Sequence, residues 1–199
     1  MSTALRAGNC TAADTHLSLK NPPVLSLLMD FYDVLSKRHS VRKFEGRPVE
    51  PEKTGRIISA ALSAPSAGNL QAYRICLVRS KEVKDALVPA ADYQEFIADA
   101  PVLLIFCADQ RRSESKYGQR GFELYAIQDA TIACSYAQLA ATAEGLSSVW
   151  AGDIDPLEVS RILQLDAFEV PVSILLLGYP AGAAEETGRR PANEMVREF

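Results

Sequence analysis

The sequence predicts a single α+β domain, because helical and strand-like patterns are mixed along it, with long helices and few strands. Its 199 residues are 48% hydrophobic, 23% charged and 8% aromatic, which is an ordinary composition for a globular enzyme. A chain of this length forms one domain, or one domain with an appendage. The composition excludes disordered, collagen-like and disulfide-stapled chains.

The appendage is predicted at the N-terminus. Residues 1–28 are rich in Ser, Thr, Ala and Asn, contain Pro22-Pro23 and show no clear periodicity. They lack the cationic start and apolar stretch of a signal peptide. We therefore expect residues 1–28 to be an arm or an over-extended start, and residues 29–199 to form the domain.

Two helices are predicted in the first part of the domain. Asp30 is a candidate N-cap for a short helix with Phe31, Val34 and Leu35 on one face. Pro51 suits the first turn of a second helix. The apolar stripe of this second helix is formed by Ile57, Ile58, Ala61 and Leu62.

Short apolar runs predict the strands of the sheet, namely Arg74 to Val78, Pro101 to Cys107, Ser147 to Trp150 and Val170 to Leu177. The second run is continuously apolar and bounded by Pro and Asp, which is typical of a buried strand. Pro156 to Leu163 predicts a helix between the last two strands.

The segment from Phe122 to Glu144 contains neither Gly nor Pro and predicts the longest helix. Its 23 residues would span about 34 Å at ~1.5 Å per residue. Apolar residues lie on most of its sides, so we expect this helix to be buried almost all round. Gly145 is expected to end it.

Charge and cysteine content exclude several functional classes. The net charge is −4, whereas nucleic-acid binders carry a basic domain or face. The longest apolar run, Ala100 to Ala108, is far short of the ~20 residues of a membrane span. The four cysteines form no CxxC pair, and two histidines cannot build a His-rich metal site. We expect a reduced, cytoplasmic protein that binds no metal, nucleic acid or membrane.

The first segment that points to chemistry is a basic loop, residues 37–47, with five basic residues and one acidic residue. Arg38 and Arg42 offer planar forks of donors that can grip a phosphate, and Ser40 adds a hydroxyl. His39 lies between them. The loop therefore predicts a phosphate site, and the alternative is an ordinary solvated basic surface.

Two further segments are suited to a flat ligand. In the Pro-Ser loop, residues 65–71, small residues let the backbone approach a ring, and the amides of Asn69 and Gln71 can read its edge. The alternative is a simple helix-to-strand turn. Residues 145–152, which contain Trp150, can lay backbone N–H groups against a ring, or they can form a helix stop and a buried strand with the indole in the core.

The fourth segment is Arg189-Arg190-Pro191 near the C-terminus, where two cations can join a phosphate site or lie on a solvated surface.

In this order and spacing the four segments resemble the nitroreductase family of FMN-dependent α+β oxidoreductases. Arg38 to Phe44 resembles the family's opening R-[RH]-S-x-[RK]-x-F, and Pro65 to Gln71 resembles its P-S-x-x-N-x-Q loop. Gly145 to Trp150 resembles its G-[LI]-x-S-x-W turn. The resemblance covers about residues 30–197.

The resemblance implies a three-layer α/β/α sandwich with a central, mostly antiparallel sheet, assembled as an intertwined homodimer with FMN at the subunit interface. It implies that Arg38 and one of the two tail arginines hold the FMN phosphate, and that Asn69 bonds the ring edge. The cofactor-binding residues implied are Arg38, His39, Ser40, Arg42, Pro65, Ser66, Ala67, Asn69, Gln71, Val149, Trp150, Gly152, Arg189 and Arg190.

The resemblance also implies hydride transfer from NADH or NADPH through flavin N5 to a small organic acceptor, such as a nitroaromatic or a quinone, by a ping-pong mechanism. Such a reaction needs no catalytic side chain, because the flavin carries the chemistry. Two alternatives stay open: an oxygen-dependent flavin-fragmenting or reductive dehalogenase relative, and a flavin-binding module with little turnover.

The chain departs from the family's pattern at Gln71-Ala72-Tyr73, where many members have Gln-Pro-Trp. The polar segment Ala108 to Gly121 is expected to lie on the acceptor side, and the alternative is a solvated loop. The residues that suggest this role are Arg111, Arg112, Lys116, Tyr117 and Arg120.

Overall fold

The computed structural model describes residues 29–184 and 187–199, so the predicted N-terminal arm lies outside the described residues. Helix α1 (Phe31–Lys37) begins as expected, because the Asp30 side chain accepts a hydrogen bond of 2.9 Å from the Tyr32 N–H. Of its predicted apolar face only Val34 is buried, while Phe31 and Leu35 are exposed.

Helix α2 (Pro51–Leu62) starts at Pro51 and buries Ile57 and Ala61, as predicted, although Leu62 is exposed. The remaining elements follow in chain order. They are β1 (Tyr73–Val78), α3 (Lys81–Leu87), α4 (Phe96–Asp99), β2 (Val102–Asp109), α5 (Gln110–Arg120), a π-helical turn (Gly121–Tyr125), α6 (Ala126–Ala143), β3 (Ser147–Ala151), α7 (Pro156–Leu163), β4 (Glu169–Gly178) and α8 (Ala192–Met195).

The four predicted strands form one sheet in the order β1-β2-β4-β3, and all three strand pairs are antiparallel. Helices cover both faces. Leu104 and Leu175 face the cluster that contains α2 and α6, whereas Leu103 and Leu176 face the cluster that contains α3, α4 and α7. The three-layer α/β/α architecture is therefore confirmed, and the apolar runs are continuous because the central strands are covered on both sides.

The predicted long helix differs from expectation in two ways. It begins with the π-helical turn and becomes α-helical only at Ala126, although Gly145, at φ +72°, ends it as expected. The expectation of burial all round is wrong for the single chain. Its small residues, such as Ala133 and Ala137, pack on the sheet, but Ile127 and Tyr136, on the two flanks of the buried stripe, are 38% and 40% exposed.

The polar segment before this helix is helix α5, not a loop. Asp109 ends β2 and caps α5, because its Oδ1 accepts a 2.9 Å hydrogen bond from the Arg112 N–H. Gly118, at φ +56°, breaks the helix, and the chain folds back so closely that a Cβ on Gly121 would collide with the Ser113 backbone. Among the described helices, none combines the length and the apolar character needed to cross a bilayer.

Candidate functional site

The basic loop is fixed to the outer edge of β3. The Val41 N–H donates to the Ser148 carbonyl at 3.0 Å, and Ser40 pairs with Ser148 in a parallel bridge. Further along, the Glu45 N–H donates to the Tyr179 carbonyl at 2.9 Å. The loop is therefore held between β3 and the segment that leaves β4, and its backbone is set without using its cationic side chains.

These side chains are available to a ligand. The charges of Lys37 and Arg47 are paired with Asp33 and Glu50, but Arg38 and Arg42 have no ion-pair partner among residues 29–184 and 187–199. Beside them lies a cleft of about 330 Å³, lined by Ser40 to Lys43 and by residues 182–184. An anionic group fits this donor set.

Backbone and hydroxyl groups of β3 complete this corner. Backbone groups two residues apart on a strand point to the same edge, so the N–H and C=O of Trp150 face the same outer edge as the Ser148 carbonyl. The Ser148 hydroxyl is buried and has no hydrogen-bond partner within the described part of the chain. The indole of Trp150 packs against the core, as does the Val149 side chain on the opposite face. Any ring contact here would therefore come from the backbone.

We call the basic loop together with residues 148–152 the first half-site. The second half-site is the Pro-Ser loop with the start of α6. There the Asp129 carboxylate, only 2% exposed, accepts hydrogen bonds from the Ala67 N–H at 2.8 Å and the Ala72 N–H at 3.4 Å. Sequence reasoning missed this role of Asp129, for which the one signal was a carboxylate on an otherwise apolar helix.

The Pro-Ser loop has an unusual backbone. Asn69 and Gln71 adopt left-handed conformations with φ of +58° and +50°, which non-glycine residues seldom do. The Gln71 N–H is satisfied by Ser66 Oγ at 2.9 Å. Burial and the nearby Asp129 carboxylate raise the pKa of Tyr73, whose hydroxyl donates to the Ala61 carbonyl. Two side chains therefore hold the loop in place. Asp129 accepts hydrogen bonds from the backbone of Ala67 and Ala72, and Ser66 Oγ accepts one from the backbone of Gln71.

A cavity of about 450 Å³ lies under this loop, between it and α6. Its lining is mainly apolar and includes the polar side chains of Gln128 and Asp129. Pockets of this size and character accept ring-shaped ligands. The lining residues are Pro65, Ser66, Ala67, Tyr125, Gln128, Asp129, Thr131 and Ile132.

The two half-sites lie at opposite corners of one sheet. Ser148 is level with Leu177, whereas Tyr73 is level with Val170 through Ala108, so seven residues, or about 23 Å, separate them along the strands. Three strand spacings add about 14 Å across the sheet. A single chain does not bring the two predicted groups of site residues together.

Within the described residues, the tail arginines form no hydrogen bond or ion pair with either half-site. Arg189 donates to the Thr187 carbonyl at 3.1 Å, and Arg190 pairs with Glu194 at 3.1 Å on the exposed helix α8. The role predicted for them at a phosphate stays a prediction. Of the acceptor-side residues, Arg112 donates through Nε to the Leu70 carbonyl, which places α5 beside the second half-site.

Comparison with known proteins gives this geometry a context. The sequence model of the Nitroreductase family matches residues 35–92 and 90–179, which is most of the described chain. The chain belongs to the nitroreductase family. The match includes the basic loop, the Pro-Ser loop and β3, so both corners of the sheet lie within the family's common region.

Two curated relatives in the family are similar over most of the chain. The protein is 34% identical over 170 residues to a Bacillus subtilis protein named FMN reductase [NAD(P)H], covering 79% of this chain and 68% of that one. It is 32% identical over 196 residues to the NADH dehydrogenase of Thermus thermophilus, covering 85% and 96%.

A solved structure is similar in fold as well as in sequence. The hypothetical oxidoreductase YcnD from Bacillus subtilis superposes with a TM-score of 0.79 at 31% identity, covering 85% of this chain and 74% of that one. The α+β fold class and the nitroreductase-like architecture expected from the sequence are thereby confirmed.

Proposed function

We propose that the protein is an FMN-dependent NAD(P)H oxidoreductase that acts as a homodimer and passes hydride from NADH or NADPH to a small organic acceptor. The observation that carries this proposal is the diagonal separation of the two half-sites, each of which suits a different part of one flavin nucleotide. The relatives named FMN reductase [NAD(P)H] and Oxygen-insensitive NADPH nitroreductase, the latter from Salmonella typhimurium, support the same activity.

The first half-site suits the phosphate and ribityl chain. Arg38 can grip a phosphate with two parallel hydrogen bonds, and the exposed Ser40 supplies a hydroxyl group nearby. Arg42 adds a second cation on the same loop, where it would stabilise negative charge on the pyrimidine side of the reduced ring. The backbone groups of Trp150, and those of Gly152 beyond the strand, would meet the ring along the outer edge of β3, whereas those of Val149 face β4. His39 and one of Arg189 and Arg190 complete this group in our proposal.

The second half-site suits the ring itself. Asn69 and Gln71 carry both donors and acceptors on their side-chain amides, which can pair with the alternating edge of a flavin. Pro65, Ser66 and Ala67 line the cavity against which a flat ring can pack. Asp129 holds this loop in position by accepting hydrogen bonds from the backbone N–H groups of Ala67 and Ala72.

A second copy of the chain would unite the two half-sites. In a two-fold symmetric dimer the same surface patch of each chain meets its counterpart, so two identical flavin sites form. The exposed apolar residues of α1 and α6 provide a surface for such contact, because large exposed apolar patches mark interaction sites. They are Phe31, Tyr32, Leu35, Ile127 and Tyr136.

When bound, FMN supplies the ring nitrogen N5 that accepts hydride from the nicotinamide and passes it to the acceptor. The chain's own residues supply position and charge, and correct orientation alone can lower a barrier by ~7–11 kcal/mol. A cytoplasmic location accords with three free thiols among the described residues, Cys76, Cys107 and Cys134.

The test is the visible spectrum of the purified protein, followed by anaerobic mixing with NADH and then NADPH. We expect flavin absorption that heating releases as FMN, rapid bleaching by at least one nicotinamide, and recovery of intact flavin after a quinone is added. If neither NADH nor NADPH bleaches the bound FMN, the protein is a flavin-binding module. If the bound FMN is consumed when oxygen is admitted to the reduced protein, a flavin-fragmenting enzyme is favoured. A colourless protein that takes up no added FMN would refute the proposal.

A further inference from the structure

Helix α5 carries an uncompensated positive charge. Its eleven residues include Arg111, Arg112, Lys116 and Arg120 but only one carboxylate, Glu114, in a chain whose net charge is −4. None of the four cations forms an ion pair with any carboxylate in the described ranges. A concentrated charge of this kind on a negatively charged protein attracts anions to one place.

This helix is docked on the Pro-Ser loop. The Arg112 Nε donates to the Leu70 carbonyl. At Gly68, a Cβ would lie 2.5 Å from the ammonium nitrogen of Lys116 and would also collide with the Tyr117 hydroxyl. The heads of Lys116 and Tyr117 therefore rest directly on the turn that precedes Asn69, and glycine at position 68 makes room for them.

The same cationic end of α5 reaches the cavity of the second half-site. The Arg120 Nε donates to the Tyr125 hydroxyl at 3.0 Å, and the Tyr125 ring lines the cavity with Pro65 and Ala67. The rings of Tyr117 and Tyr125 meet edge to face, with centroids 5.1 Å apart. Each ring of this pair also carries one cation, because Lys116 Nζ lies 5.4 Å from the centre of the Tyr117 ring and the guanidinium carbon of Arg120 lies 5.5 Å from that of Tyr125.

The other two cations of α5 contact residues that do not line the cavity. Arg111 lies over the Phe168 ring with its guanidinium carbon 5.5 Å from the ring centre, and Arg112 is tied to the Leu70 backbone. This leaves Lys116 and Arg120 as the cations beside the cavity. A molecule whose ring enters this cavity, with a negative substituent directed past Tyr125, would turn that substituent towards these two side chains.

We propose that Lys116 and Arg120 form a subsite for an anionic group, a carboxylate, sulfonate or phosphate, on the molecule that exchanges hydride with the flavin. This inference rests on the proposed function and names the chemical class of its reaction partner. The anion has two sources, a substituent on an aromatic acceptor or the phosphates of the nicotinamide donor. Both present the same chemistry to the two cations.

The test uses two acceptors of similar shape, the anionic 4-nitrobenzoate and the neutral 4-nitrobenzamide, and compares the variant with the unsubstituted protein for each of them in the reoxidation of the reduced, FMN-loaded protein. We expect Lys116→Gln to lower the second-order rate constant for the benzoate by about fivefold and to leave the benzamide within twofold. Added salt should lower the benzoate rate of the unsubstituted protein towards that of the variant, because salt screens exposed charges. Reduction by NADH and NADPH is measured in parallel to identify the second source.

The matched control is Lys81→Gln, which removes the same charge from helix α3 on the opposite face of the sheet, where Lys81 pairs with Asp85. This variant should behave as the unsubstituted protein does. A loss confined to the benzoate assigns the subsite to the acceptor, and a loss confined to NADH or NADPH assigns it to the donor's phosphates. The subsite is refuted if Lys116→Gln and Arg120→Gln change the rate constant for no anionic partner more than Lys81→Gln does. The proposed flavin chemistry would be unaffected by that result. A chain that binds no FMN refutes the proposed function and the subsite together.

Discussion

Replacement of Arg38 by alanine is expected to weaken FMN binding by ~2 kcal/mol, or about thirtyfold in Kd, because a hydrogen bond to a charged group contributes ~1.5–3 kcal/mol. Arg38 lies on the loop that is hydrogen-bonded to β3, and among the described residues it has no carboxylate partner to satisfy it. Titration of the apoprotein with FMN, followed by flavin fluorescence, measures the change.

Riboflavin provides the control ligand, since it lacks the phosphate that Arg38 is proposed to hold. Arg38→Ala should therefore leave the Kd for riboflavin nearly unchanged. Arg161→Ala, which removes an exposed arginine of α7 that pairs with Glu158, should affect neither ligand. Equal losses for FMN and riboflavin would mean that Arg38 supports the fold of the loop, and an unchanged FMN affinity would remove it from the site.

Replacement of Asp129 by alanine is expected to lower the free energy of unfolding by about 2–4 kcal/mol, because it leaves one buried and one half-buried N–H donor without a partner, at ~1–3 kcal/mol each. These donors belong to Ala67, which lies within the Pro-Ser loop, and to Ala72, which directly follows it. Asp129→Asn should lower the free energy of unfolding less. The amide oxygen of asparagine can still accept the 2.8 Å hydrogen bond from the Ala67 N–H, whereas its NH2 group cannot accept one from the Ala72 N–H. Urea denaturation of the apoprotein measures both variants.

The same substitutions separate positioning from general stability. At temperatures where Asp129→Asn is fully folded, its FMN affinity should still fall, since Asn69 and Gln71 are held in left-handed conformations by the anchored loop. Glu123→Ala removes an exposed carboxylate from the adjacent π-helical turn. It should change neither the free energy of unfolding nor that of FMN binding by more than ~0.5 kcal/mol. Asp129→Ala with unchanged stability and unchanged FMN affinity would contradict the proposed anchoring.

The sheet could be predicted from the sequence because each strand is covered on both faces or flanked by turn residues. A continuous apolar run such as the one after Pro101 predicts a strand that is buried on both faces. The burial of the long helix is harder to predict, because apolar residues such as Ile127 and Tyr136 extend onto both flanks of its buried stripe. Composition alone does not tell whether Ile127 and Tyr136 meet the same chain or a second one.

Helix α5 could not be predicted from apolar periodicity, because it has almost none. It is polar along its length and is fixed instead by the Asp109 cap and by tertiary contacts such as that of Arg112 with Leu70. The helices α3 and α4 were not predicted either. Each is short, and the Ser80 cap of α3 is the one local signal that precedes it.

The membership of the candidate site could be predicted, but its arrangement could not. The basic loop and the Pro-Ser loop stand out by charge and by small residues, whereas their placement depends on the strand register. Asp129 was overlooked because a carboxylate in a helix usually faces water. Its partners are backbone groups, and those leave no trace in the sequence.

The most direct test of this account is a mixed dimer in which one chain carries Arg38→Ala and the other carries Asn69→Gly, which keeps the left-handed backbone while removing the amide. Co-expression with two different tags allows its isolation. If each flavin site joins the first half-site of one chain to the second half-site of the other, the mixed dimer holds one intact site and one doubly altered site. We therefore expect tight FMN binding at half the unsubstituted stoichiometry, although both parent homodimers bind weakly. Uniformly weak binding in the mixed dimer would mean that each site lies within one chain, and would contradict the account.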